Sequence, residues 1–256
     1  MSRHYRFWGW VLATLAGCGG GGSGGGNAGI AEPATHLSTQ SPAITPATAD
    51  LQGIWESSSA GVKTSAVVLP NGQTWLAQRR VNGDIDLVIA ELEASGEGYS
   101  SAFIGSGKRY RLGSTVVGAV DLNAGKTAAA NLSMTWTTTG VTEIVEMGYQ
   151  NRYNAAATLA DHAGDWIGKP GPGALNWHVT ATGLLSGSSS TGCTYAGQIK
   201  LRAEAKAVVD VSLAEQCAGK STQLSGIALL SADHRSATLA MTTVDGLTAW
   251  LLAISH

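Results

Sequence analysis

The chain has 256 residues, with 16 Lys and Arg against 18 Asp and Glu, a formal charge of −2 that leaves no basic footprint for nucleic acid. Charged residues are only 13% of the whole, about half the usual share for a soluble domain. With 34 glycines and abundant Ala, Ser and Thr, small polar residues take over the solvation of the surface, as in exported β proteins.

Residues 1–17 carry Arg3 and Arg6, then an apolar run from Phe7 to Ala16, the order of a secretory signal peptide. The run is roughly half the 20 or so residues that a membrane-spanning helix needs. It ends in Leu15-Ala16-Gly17-Cys18, followed by a nearly pure glycine stretch from Gly19 to Gly26. This pattern resembles the lipobox of bacterial lipoproteins. The resemblance implies cleavage before Cys18, lipid (palmitate among the acyl groups) on Cys18, and a partner in the membrane itself. Gly19 after the cysteine implies export to the outer membrane, on its periplasmic or its surface face. Removing residues 1–17 leaves 14 basic against 18 acidic residues, a formal charge of −4. From Cys18 to about residue 45 the chain is Gly-rich, then rich in Ser, Thr, Ala and Pro, without apolar periodicity. It reads as a tether 18–45, with a mean reach on the order of 30 Å. His36 within it reads as a solvated linker residue.

Structure is expected to begin at Thr45-Pro46, an N-cap followed by Pro at the first helical position, with a turn ending at Gly53. Gly53-Ile54-Trp55 then opens a strand. The arrangement returns when Asn154 caps a short Ala-rich helix, Gly164 ends it and Gly164-Asp165-Trp166 opens another strand. The two G-x-W units are 111 residues apart, as are Gly72 and Gly183 in the turns that follow. This register points to an internal duplication: β repeats over 46–160 and 161–256, each a small antiparallel barrel or sandwich, with one shared core or a single long sandwich as alternatives. G-x-W resembles the opening of lipocalin- and avidin-like barrels, which enclose a small ligand. The resemblance makes Trp55 and Trp166 candidate ligand-lining residues. Halves of about 100 residues favour the competing reading, in which side chains fill the barrels and both tryptophans pack in the core.

Between these markers the period is two. Val68 to Trp75 holds Asn71-Gly72 between apolar runs, a hairpin signal. Leu132, Met134 and Trp136 alternate with polar residues, as do Trp177, Val179 and Ala181, so His178 should point to solvent. In 195–213 good helix formers sit in a strand pattern. Tyr195, Ile199, Leu201, Ala203, Ala205, Ala207, Val209, Val211 and Leu213 are all odd-numbered, which predicts two antiparallel strands broken near Ala205 despite the lack of Gly, Asn or Pro there. Cys193 and Cys217 lie symmetrically about that break and are expected to form a disulfide, with a two-cysteine metal site as the weaker rival. The run Ala249 to Ile254 reads as a last strand, buried on both faces, on which the fold closes. An integral outer-membrane barrel would need aromatic girdles, whereas Phe103 is the single Phe beyond the signal segment.

Candidate chemistry is sparse. Ala214 to Ser221 fits a loose phosphate-loop pattern, but strand-like residues follow it where a helix is required, so it reads as a turn. Asp161, His162 and Asp165 form the one close acid and histidine cluster, and the polar end of a short helix explains them as well. Lys108, Arg109 and Arg111 near Tyr110, with Arg79 and Arg80, read as solvated strand faces. No catalytic residue, metal or cofactor is assigned. The expected function is a tethered binding or structural module with an envelope or extracellular protein partner. A carrier of small hydrophobic ligands comes second and an envelope hydrolase third.

Overall fold

A computed structural model describes residues 50–95, 102–114, 117–168 and 173–256. The signal segment, Cys18, the tether and the Thr45-Pro46 turn lie outside these residues. The first eight strands are β1 (Gly53–Ser59), β2 (Val62–Val68), β3 (Gln73–Arg79), β4 (Ile85–Ala94), β5 (Ala102–Arg111), β6 (Val117–Ala128), β7 (Asn131–Thr138) and β8 (Val141–Tyr149). The second eight are β9 (Gly164–Gly168), β10 (Leu175–Val179), β11 (Leu184–Ser189), β12 (Thr194–Leu201), β13 (Val208–Cys217), β14 (Lys220–Leu230), β15 (Ser236–Thr243) and β16 (Ala249–Ser255). Each set is an antiparallel meander that closes on itself, β8 returning to β1 at Trp55↔Tyr149 and β16 to β9 at Ile254↔Gly168. The architecture is two closed eight-stranded barrels in tandem, and closure leaves no edge strand open for pairing.

Alternation explains both interiors. Trp55, Val68, Leu76, Val88, Leu122, Met134 and Trp136 fill the first barrel. Trp166, Trp177, Tyr195, Val211, Leu239 and Met241 fill the second. The two barrels repeat one plan. Trp55 Nε1–H donates to the Leu51 carbonyl (2.9 Å) and Trp166 Nε1–H to that of His162 (2.8 Å), each four residues upstream. Tyr149 lies edge-on to Trp55, and His256 lies against Trp166. A Cβ at Gly53 would run into the first of these rings and one at Gly164 into the second, so the Gly of G-x-W makes room for the last residues of its own barrel. Gly72 and Gly183 both have positive φ (86° and 82°), and their carbonyls accept from Leu92 and Ile199, which sit on corresponding strands.

The predicted break falls where expected, between β12 and β13, with Ala205 itself taking the left-handed conformation (φ 47°). Its carbonyl accepts from Ala157 N–H (3.2 Å). Cys193 and Cys217 extend the β12–β13 register beyond Thr194↔Gln216 and form the disulfide, with Cα atoms 4.5 Å apart.

Three expectations need correction. No helix starts at Asn154. Two 3₁₀ turns, Asn151–Asn154 and Leu159–His162, flank an extended alanine stretch, and the second turn is capped by Thr158, whose capping box with Asp161 satisfies both end groups. Ala181 lies in the turn after β10. In β16 Trp250, Leu252 and Ile254 pack against the barrel interior. Ala253 is exposed and Leu251 packs outside, because a closed barrel has one interior face.

The outer faces are not all solvated. Ile54, Val67, Trp75, Leu87 and Tyr110 of the first barrel join Val208, Ile227 and Ala240 of the second in a third apolar cluster. The connecting segment adds Tyr153, fully buried, with Lys206 Nζ 4.7 Å above its ring. Burial, with the Glu204 charge nearby, pushes the Tyr153 phenol up to about 12. Tyr110 Oη–H and Lys108 Nζ–H both donate to the Gly246 carbonyl (3.0 Å each), tying β5 to the β15–β16 turn.

Candidate functional site

The residues singled out from sequence do not converge on one centre. Trp55 and Trp166 are 1% and 2% exposed, each inside its own barrel core. Asp161, His162 and Asp165 separate. The hydroxyl and N–H of Thr158 hold the Asp161 carboxyl below its usual range. His162 is buried and donates from Nδ1 to the Thr158 carbonyl (3.0 Å). Burial pushes its pKa down, which favours the neutral ring. Asp165 instead meets His178 across the β9–β10 pair, at 2.7 Å from Nδ1, and Ser186 follows in the same row on β11. The Asp165 and His178 side chains are 87% and 57% exposed, a solvated dyad on an open strand face rather than a sheltered acid–base pair. Ala214 to Ser221 is the end of β13, the tight turn Ala218-Gly219, both residues at positive φ, and the start of β14. The sulfurs of Cys193 and Cys217 are joined to each other, and Glu215 beside them accepts from the Tyr195 hydroxyl (3.1 Å).

The basic residues near Tyr110 are a correction. Arg109 and Arg111 alternate with Lys108 and Tyr110, and this puts them inside the first barrel, at the end where β3 and β5 finish and β4 begins. There Asp86, 2% exposed, accepts from Arg80 Nε (2.9 Å), Arg109 Nη2 (2.8 Å) and Arg111 Nε (3.0 Å), and Arg80 also pairs with Glu143. Burial alone would raise the Asp86 carboxyl, but hydrogen bonds from Arg111, Arg109 and Arg80 outweigh it and hold the pKa at about 2. The network stops this end of the barrel with charge beside the buried Gln78, while apolar side chains fill the core behind it.

Open space lies instead between the barrels. A cleft of about 820 Å³ runs along the junction. Its floor takes Val67, Trp75 and Leu87 from the first barrel and Ile227, Leu229 and Leu251 from the second. These positions are outward on their strands, and each barrel alone would leave them bare. The charged residues that line the cleft are Lys63, Arg79, Arg152 and Glu56. Arg152 pairs with Glu56, while Lys63 and Arg79 sit directly opposite one another across β2 and β3. Trp75, at 5% exposure, keeps a buried indole N–H that meets no acceptor among the described residues. An apolar floor with a few polar groups on its rim, and a volume within the roughly 300–1,000 Å³ of small-molecule sites, has the character of a binding cleft.

Sequence reasoning missed this cleft, although one signal was present. In β2, β3 and β4, apolar residues occupy both strand faces at Val67-Val68, Trp75-Leu76 and Leu87-Val88, which marks strands covered on both sides. The molecule is thus a tandem-barrel protein with a groove at its inter-barrel junction. No family model, curated protein or solved structure matches the chain.

Proposed function

We propose that this protein is a lipid-anchored envelope lipoprotein that acts as a binding module, and that its binding surface is the inter-barrel cleft rather than a barrel interior. One observation carries the second half. Both interiors are occupied by their own side chains, whereas the apolar junction stays open over about 820 Å³. The reading of a small-ligand carrier moves accordingly from the barrels to the groove between them. Binding ranks above catalysis because the acid–histidine dyad stands in open solvent, away from the cleft lining.

The anchor rests on Leu15 to Cys18 and the tether behind it. Labelled palmitate should enter the protein and be lost in Cys18→Ala, and label retained by that variant would contradict the anchor. The cleft is tested by filling it. Ser65 and Thr238 line it from opposite barrels and neither is buried, so Ser65→Trp with Thr238→Trp should occupy the groove while the barrels still fold. Ligand binding should fall at least about tenfold, since the bulky rings take the ligand's place. Unchanged binding by the filled variant would place the site elsewhere.

A further inference from the structure

We infer that the cleft takes an anionic, single-chain amphiphile of the long-chain fatty-acid class, its hydrocarbon lying on the shared apolar floor and its carboxylate reaching Lys63 and Arg79. The inference rests on the cleft being the binding surface, and it adds the chemistry of the occupant.

Three observations carry it. First, Lys63 and Arg79 are direct cross-strand partners, and like charges so placed repel. Among the described residues neither is salt-bridged to a carboxylate, although eight arginine–carboxylate contacts are formed. Second, the cleft lining holds three cations and one carboxylate, Glu56, which Arg152 already occupies. This local excess of positive charge stands on a chain that is negative overall. Third, the same groove has an apolar floor contributed by two barrels, with Trp75, Leu87, Ile227, Leu229 and Leu251 side by side. Cations alone would suit any anion, and the floor alone any hydrocarbon. Their adjacency selects a molecule that is both, and the volume fits one chain of drug-like size.

The test uses residues 44–256, which form one compact unit and contain every strand partner of both barrels. Binding of cis-parinaric acid is followed by its fluorescence, with palmitic acid and hexadecanol as competitors of equal chain length. We expect saturable binding, with hexadecanol weaker than palmitic acid by about fivefold. Added salt should weaken the acid and not the alcohol. Lys63→Glu with Arg79→Glu should abolish the preference for the acid, and Lys63→Gln with Arg79→Gln should reduce it. Both residues are exposed, so these variants retain the barrel cores. Equal competition by acid and alcohol, with charge reversal silent, would overturn the anionic head. If the tryptophan-filled variant then still lost binding, the cleft itself would stand. Absence of saturable binding by any of the three probes would overturn the amphiphile. Binding that survives both charge reversal and the filled cleft would overturn the inference and the cleft reading together.

Discussion

Asp86→Asn should lower stability by about 3–5 kcal/mol, the cost of removing one partner from a buried ionic network. Three arginines converge on this carboxylate, and the amide would leave them facing each other with only Glu143 beside Arg80 and Asp84 beside Arg111 as compensation among the described residues. For a domain of this size the thermal midpoint should fall by roughly 10 °C. The same residue sets an acid limit. Its folded pKa of about 2 lies below the unfolded value near 3.9, so its contribution is fully present above the unfolded pKa and is lost as pH falls from about 4 toward 2. The shift corresponds to about 2–3 kcal/mol. Urea midpoints measured between pH 2 and 6 should show this slope in the wild type and a shallower one in Asp86→Asn. Equal slopes would mean that the carboxylate is not held by the arginines.

Breaking the Cys193–Cys217 bridge should cost about 3.5 kcal/mol in the chain-entropy model for a closed loop of about 25 residues. The bridge ties the open ends of β12 and β13, opposite the Ala205 turn, so the loss belongs to the second barrel. Cys193→Ala with Cys217→Ala should therefore show faster hydrogen exchange in β12 and β13, while β4 and β5 keep their protection. Non-reducing peptide mapping should recover the two cysteines on one linked peptide. Free thiols at both positions would refute the bridge.

Much of the fold was legible because a period of two is robust wherever one face is dry. The odd-numbered apolar row from Tyr195 to Leu213 overrode helix-forming residues, and the 111-residue offset of the G-x-W units marked the second barrel. The two 3₁₀ turns of the connecting segment were not legible, since Thr158 and Asp161 supply a better cap than Asn154. The charge network was missed for a different reason. Arg109 and Arg111 are two apart and so share a face, but alternation alone does not say which face is inside when both carry polar residues. Asp86 could not be assigned as their partner before β4 and β5 were paired. The cleft was the least legible feature, because it needs the contact between barrels. Paired apolar residues such as Trp75-Leu76 announce a second covering without naming what covers it.

The most direct test of the binding cleft is a photolabelling map with a fatty acid carrying a diazirine on its chain. Label should fall on peptides bearing Trp75, Leu87, Leu229 and Leu251, and excess palmitic acid should compete it away. Competed label on Trp55, Trp136 or Trp177, inside the barrels, would contradict the account.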